Sequence, residues 1–77
     1  RQLELRPSFE ELSRRELEVL LQVLRGRLNK QIAEDLGINE RSVKRHRTNF
    51  NRKLGVTSVA ELSRLAVEAG VVSELEQ

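Results

Sequence analysis

Cysteine is absent from this chain of 77 residues, and long apolar runs are absent as well. Without cysteine, disulfide bonds and thiolate–zinc sites are excluded as supports for the fold. Because no apolar run approaches the length of a signal-peptide core or a membrane span, we expect a cytoplasmic location and no membrane contact. One domain of this length can bury the core of about three or four helices, but not a deep substrate cavity as well.

Catalytic signatures are missing too. The sequence contains no nucleophile–base pair, no glycine-rich loop that could cradle a phosphate, and no cluster of metal ligands. The single histidine, His46, has neither a cysteine nor a second histidine with which to share a metal. We interpret it as a residue at the margin of the core that hydrogen-bonds a phosphate. We therefore expect no enzyme, no cofactor and no metal.

Charge is present but unevenly distributed. The formal net charge is only +2, yet residues 25–53 hold nine Lys or Arg against three acids, an excess of +6. The remaining residues hold five Lys or Arg and nine acids, an excess of −4. A basic middle between acidic ends predicts one surface that faces a polyanion. Ordinary exposed helices, which also carry charge, explain this segregation equally well when it is considered alone.

Local signals predict an all-α chain, a four-helix bundle that contains a helix–turn–helix. Ser13 and Glu16 form a capping box that begins the first helix, and Ser58 and Glu61 form another that begins the fourth. Apolar residues follow each box at helical spacing. The helices are predicted at about residues 14–25, 30–36, 40–54 and 59–69.

Residues 1–11 lack this periodicity and contain the only proline, so we expect a linker or N-terminal arm there and the domain at 12–77. Because the chain starts at Arg1 and not at methionine, we expect an excised part of a longer protein.

The second and third helices have the spacing of a helix–turn–helix. Asn29 and Asn39 are the expected N-caps of these helices, and Gly37 ends the first of the two. Two helices joined by so short a turn come close, which requires a small residue, a glycine and an apolar anchor. Ala33, Gly37 and Val43 provide these at the right spacing.

The outward face of the third helix is cationic. With Val43 placed toward the core, the opposite side holds four cations and a threonine, and no acid occurs between Arg41 and Lys53. A merely solvated helix usually intersperses glutamates for pairing, so this absence favours DNA, whose major groove admits one helix. The outward residues are Arg41, Lys44, Arg45, Thr48 and Arg52.

Arg47 lies away from that outward face, and its role stays open. Its stem can cover apolar surface while its guanidinium reaches either a carboxylate or a phosphate.

Five short motifs together resemble the LuxR-type, or GerE-type, helix–turn–helix domain. The resemblance covers about residues 12–66 and is closest to the C-terminal effector domain of FixJ/NarL-like response regulators. It implies a third helix in the major groove, and an N-terminal receiver or ligand-sensing domain in the full-length protein. The motifs are "LS" from Leu12 followed by "ELEVL" from Glu16, "NKQIA" from Asn29, "LGI" from Leu36, "VK" from Val43 followed by "HR" from His46, and "KLGV" from Lys53.

The resemblance also implies which residues contact DNA. Base contacts are expected from Lys44, Arg45 and Thr48. Backbone contacts are expected from Asn29, Lys30, Arg41, Ser42 and Lys53, to which we add His46 and Arg52.

The fourth helix of such domains pairs two copies on a roughly palindromic, inverted-repeat operator. We expect a homodimer that is weak or forms only on DNA, because the apolar stripe is small. The same stripe could instead close the core of one copy. It consists of Leu62, Leu65, Ala66 and Ala69.

Three positions depart from the usual family pattern. Arg14 stands where proline is frequent, Asn51 where an apolar residue is usual, and Val59 where arginine is frequent. None of them belongs to the residues expected to face the groove.

The leading hypothesis is therefore sequence-specific binding of double-stranded DNA as the effector domain of a bacterial transcriptional regulator. The alternative is a helical protein-interaction or dimerisation module without sequence-specific readout, for which an acid-free third helix has no evident use.

Overall fold

Four α-helices dominate the computed structural model, which describes residues 9–71. They are α1 (Arg14–Leu24), α2 (Asn29–Leu36), α3 (Glu40–Leu54) and α4 (Val59–Glu68), preceded by a single 3-10 turn at Phe9–Glu11. Within these residues there is no strand. The predicted all-α, four-helix fold is confirmed, and each helix end falls within one residue of its predicted position.

The start of α1 is fixed by the predicted capping box. The Ser13 hydroxyl accepts a hydrogen bond from the Glu16 N–H at 3.1 Å, and the Glu16 carboxylate accepts one from the Ser13 N–H at 2.9 Å. Two N–H groups at this end of the helix are satisfied in this way. Arg14, which replaces the frequent proline, is the first helical residue and leaves the box intact.

The start of α2 differs from the prediction. Leu28, and not Asn29, occupies the N-cap position and supplies no side-chain cap. Gln31 compensates on one side, since its Oε1 accepts from the Leu28 N–H at 2.9 Å. The predicted N-cap role of Asn29 is therefore wrong: Asn29 is the first residue of α2, and its amide is available for another contact.

The second predicted capping box forms only in part. Ser58 Oγ accepts from the Glu61 N–H at 3.1 Å, as expected. The Glu61 carboxylate, however, accepts from the backbone N–H of Thr57 at 2.7 Å and from its hydroxyl at 3.1 Å. These hydrogen bonds from Thr57 lower the pKa of Glu61. The Glu61 carboxylate therefore bonds to Thr57, the residue before the N-cap Ser58, and not to Ser58 itself.

The helix–turn–helix is confirmed by its three spacing residues. Ala33 and Val43 are buried, with exposed fractions of 5% and 0%. Gly37 ends α2 at φ +70°, a left-handed conformation that costs a residue with a Cβ about 1–2 kcal/mol. The Ile38 N–H then returns to the Ala33 carbonyl at 3.0 Å. The conformation of Gly37 and the hydrogen bond from Ile38 to Ala33 therefore fix the turn that precedes α3.

One apolar core joins all four helices. The helix α1 packs against each of the others, and α3 packs against α1 and α2. This arrangement covers one side of α3 and leaves the other side open. The largest fully buried side chains are Phe50, Leu20, Ile32, Leu54, Leu62, Val19 and Val43.

Phe9, at the end of the predicted linker, contacts the core. Phe9 lies in the 3-10 turn, is partly buried and packs against the core. Residues 1–8 of that predicted linker lie outside the described residues. Across residues 9–71, no helix has both the length and the apolar character needed to cross a membrane.

Candidate nucleic-acid interface

The open side of α3 presents four polar side chains to solvent: Arg41, Lys44, Arg45 and Thr48. Their orientation follows from Val43, which is fully buried on the opposite side of the helix. Within the described residues, none of these four side chains makes a hydrogen bond or an ion pair. Because their donors are available to an external partner, we call them the free set.

Three other cations of α3 are bonded within the protein. We call Arg47, Arg52 and Lys53 the paired set. The heavy-atom distances are 2.7 Å from Arg47 Nη1 to Asn29 Oδ1, 3.2 Å from Arg52 Nη2 to Asn49 Oδ1, and 2.9 Å from Lys53 Nζ to Glu16 Oε1.

Lys53 connects the end of α3 to the start of α1. Its ammonium pairs with the Glu16 carboxylate, whose side chain is only 7% exposed, and also reaches the Glu11 carbonyl at 3.3 Å. Burial raises the pKa of Glu16, but the hydrogen bonds from Lys53 and Ser13 and the charge of Lys53 outweigh burial and leave this pKa lowered. Lys53, predicted as a phosphate contact, is thus already bonded to a buried anion.

His46 lies at the margin of the core, as predicted. Its Nδ1 is buried and makes no hydrogen bond within residues 9–71, so only Nε2 could reach a phosphate. Burial, followed by the nearby charge of Arg45, lowers the pKa of His46 against the opposing attraction of Glu16. These surroundings favour the neutral imidazole over the charged form. In the described part of the chain, no group of three or more His, Cys, Asp or Glu is arranged to hold a metal.

The start of α2 lies against the middle of α3. The hydrogen bond between Arg47 and Asn29 joins residues that are 18 positions apart and is partly buried. Lys30 follows directly, is exposed, and makes no hydrogen bond or ion pair among the described residues. Ser42, half-buried, donates its backbone N–H to Asn39 Oδ1 at 2.8 Å. The start of α2 therefore lies beside α3, with Lys30 accessible to an external partner.

Two of the four predicted dimerisation residues belong to the core. Leu62 and Ala66 have exposed fractions of 1% and 0%, so their side chains are covered by the chain itself. Leu65 is half-buried and Ala69 is exposed. Val67, which was not predicted, is 50% exposed and adds apolar surface to the same helix.

Several partners were not predicted from the sequence. Glu16 was recognised only as part of a capping box, and its bond to Lys53 spans 37 positions without any local signal. Asn49 could have been found, because residues three positions apart on a helix are neighbours and Arg52 follows it at that spacing.

Comparisons with known proteins agree with this geometry. The family model described as "Bacterial regulatory proteins, luxR family" matches residues 10–66. Three relatives are similar over most of the chain. The response regulator protein TodT of Pseudomonas putida is 52% identical over 62 residues, which are 80% of this chain and 27% of TodT. The transcriptional regulatory protein MctR of Rhizobium johnstonii is 44% identical over 64 residues, 83% of this chain and 30% of MctR.

The transcriptional regulatory protein FixJ of Azorhizobium caulinodans is 47% identical over 60 residues, 78% of this chain and 28% of FixJ. The chain therefore spans less than a third of the length of these relatives.

Proposed function

Because the chain belongs to the luxR family of bacterial regulatory proteins, a family of DNA-binding regulators and not of enzymes, we propose how its helices bind DNA. The helix α3 enters the major groove, and the starts of α2 and α3 meet the phosphate backbone. The domain is the sequence-specific effector part of a transcriptional regulator.

The free set is the observation that carries this proposal. Four exposed side chains on one face of α3 have no partner within the described residues, and three of them are cations. Donors in such an arrangement suit the acceptor-rich edge of guanine and the oxygens of phosphate. A module that binds only proteins would have no use for a face without acids.

The proposed readout is direct. Lys44, Arg45 and Thr48 contact base edges, with Arg45 donating to a guanine in the two-bond geometry that guanidinium allows. Sequence preference arises from these contacts, whereas the phosphate contacts fix register and supply most of the affinity. The proposed phosphate contacts are Asn29, Lys30, Arg41, Ser42, His46, Arg52 and Lys53, of which Lys53 has only one donor left after its bonds to Glu16 and Glu11.

Two copies bind an inverted repeat as a weak or DNA-induced homodimer. With Leu62 and Ala66 covered by the core, the proposed contact uses Leu65 and Ala69, which lie four positions apart on the same side of the chain at the end of α4. So small a patch is well below the area of a standard stable interface, about 800 Å² per partner, which favours pairing on DNA.

The full-length protein is proposed to be a two-component response regulator with an N-terminal receiver domain. Support comes from relatives named response regulator or transcriptional regulatory protein, of which this chain matches less than a third. A ligand-sensing domain is the other arrangement to consider. A regulator of bacterial transcription would act in the cytoplasm, where its DNA lies.

Selection of bound duplexes from a random DNA library, at low and near-physiological salt, tests the function. We expect an inverted repeat that persists at the higher salt, with half-sites about one helical turn apart. A variant with Lys44→Gln and Arg45→Gln is the matched control, because both side chains are exposed and unbonded in the described structure. Binding without a motif that disappears with salt would overturn specific readout and favour the protein-interaction module.

A further inference from the structure

The hydrogen bond between Arg47 and Asn29 has a chemical consequence at the start of α2. A guanidinium can only donate hydrogen bonds, so the Asn29 oxygen must face Arg47, at 2.7 Å. The Nδ2 of the same amide, which carries two donors, then points away from Arg47. A phosphate oxygen can only accept. Asn29 is thus held with its donors directed away from Arg47 and free to meet an acceptor such as a phosphate oxygen.

From this geometry we propose that Arg47 is a positioning residue for DNA binding, which acts through Asn29 without touching the DNA itself. It fixes the orientation of the Asn29 amide and holds the start of α2 against α3. The proposal rests on the proposed function. The sequence alone left open whether the Arg47 guanidinium reaches a carboxylate or a phosphate; the structure shows it bonded to an amide oxygen instead.

The surroundings of Arg47 support an indirect role. Arg47 is half-buried, unlike the exposed cations of the free set. Together with Phe50, Val59 and Leu62 it lines a small recess of about 170 Å³ at the start of α4. Its stem therefore lies on the inner side of α3, and its head is directed at α2. Among the described residues it forms no ion pair.

Asn29 is suited to this role because it does not cap its helix. Leu28 takes the N-cap position, and Gln31 satisfies the Leu28 N–H. The amide of Asn29 has its oxygen bonded to Arg47, and within residues 9–71 its nitrogen donates no hydrogen bond. Next to it stands Lys30, which is exposed and unbonded in the described structure. The two side chains would present neighbouring donors to one backbone strand.

A double-mutant cycle tests the proposal with Arg47→Met, Asn29→Ala and the double variant. Methionine keeps an apolar stem over the recess, and a urea titration of each variant verifies that it folds. Affinity is measured on the selected operator and on a random duplex, each over a range of salt concentrations. Each single variant should lose about 5- to 10-fold in affinity, equally on both duplexes, because the contact is to the backbone.

The cycle distinguishes action through Asn29 from direct contact. In the Asn29→Ala background, Arg47→Met should lose less than about 2-fold further, because its target is already gone. Equal losses in both backgrounds, with a salt slope smaller by about 0.9, would make Arg47 a phosphate contact and overturn the proposal. Unchanged affinity with lowered stability would overturn it too, leaving a purely structural bond. If the wild-type domain selects no motif and binds no duplex, the proposed function itself falls.

Discussion

The cations of α3 divide into two groups that differ in what they bond to, although both lie on one helix. The free set has no partner within the described residues, whereas each member of the paired set donates to an oxygen of the protein. Lys44 and Lys53 carry the same charge on the same helix. Only Lys53 lies beside a buried carboxylate, that of Glu16 on α1.

An outward position on a helical wheel therefore does not by itself assign a cation to DNA. Pairing with a buried anion fixes the side chain and neutralises its charge, so that binding a phosphate would strand the anion. A cation without a partner has no such cost. We therefore expect the free set to govern DNA binding and Lys53 to govern stability, and the following variants test this division in order of expected effect.

Replacing Lys53 by methionine should have the largest effect, and on stability. It leaves the Glu16 carboxylate buried with its ion-pair partner removed, at a cost of about 2–3 kcal/mol. This is below the range for fully buried pairs because the Lys53 side chain is 35% exposed. Urea denaturation measures the loss. The selected DNA motif should be unchanged, because Lys53 is not among the proposed base contacts.

The double variant Glu16→Gln with Lys53→Met is the matched control. It removes the stranded charge, keeps an acceptor for the Ser13 N–H, and should recover part of the lost stability. If Lys53→Met were as stable as the wild type but lost affinity for every duplex, Lys53 would belong with the free set.

Replacing Arg45 by alanine should have the next largest effect, and on DNA binding. Loss of a two-bond contact to guanine costs about 1–3 kcal/mol and relaxes the preference at one base pair. Stability should stay within about 0.5 kcal/mol, since Arg45 is exposed and unbonded in the described structure. Operator and random duplexes are compared in one titration. An equal loss on both would assign Arg45 to the backbone.

Whether a role could be predicted from the sequence depends on how far apart along the chain the interacting residues lie. Helix starts and stops follow from local residues such as Ser13 and Gly37, and the sequence predicted them well. The N-cap role of Asn29 was predicted wrongly, because Leu28 and Gln31 form the start of α2 and the Asn29 side chain bonds to Arg47, 18 positions away. An apolar stripe cannot by itself distinguish core from interface, so Leu62 was also assigned to a dimer.

Replacing Lys30 by alanine should have a smaller and uniform effect. As a single phosphate contact, Lys30 should contribute about 1 kcal/mol to binding of every duplex, and its loss should reduce the salt slope by about 0.9. Arg14→Ala, which removes an equal charge from a side chain 94% exposed at the start of α1, is the control and should bind normally. A sequence-dependent loss on Lys30→Ala would move Lys30 to the base contacts.

Lowering the pH should produce the smallest effect near neutrality, through His46 and then Glu16. Burial lowers the pKa of His46 in the folded protein below its ordinary 6.5, so as the pH falls past that value the unfolded chain takes up a proton first. Stability then decreases, because the unfolded state binds more protons. The pKa of Glu16 is likewise lowered from 4.5, which gives a second decrease below that pH.

Urea midpoints measured from pH 7.5 to 3.5 should therefore fall in two steps. The variant His46→Gln should remove the step at higher pH, and Glu16→Gln should remove the step at lower pH. The variant Lys53→Met tests whether Lys53 acts on stability through Glu16. The hydrogen bond from Lys53 is the largest of the causes that lower the pKa of Glu16. Without that bond and the charge of Lys53, the pKa of Glu16 would rise, so Glu16 would take up its proton at a higher pH. An unchanged lower step in Lys53→Met would mean that the ion pair does not hold Glu16 ionised.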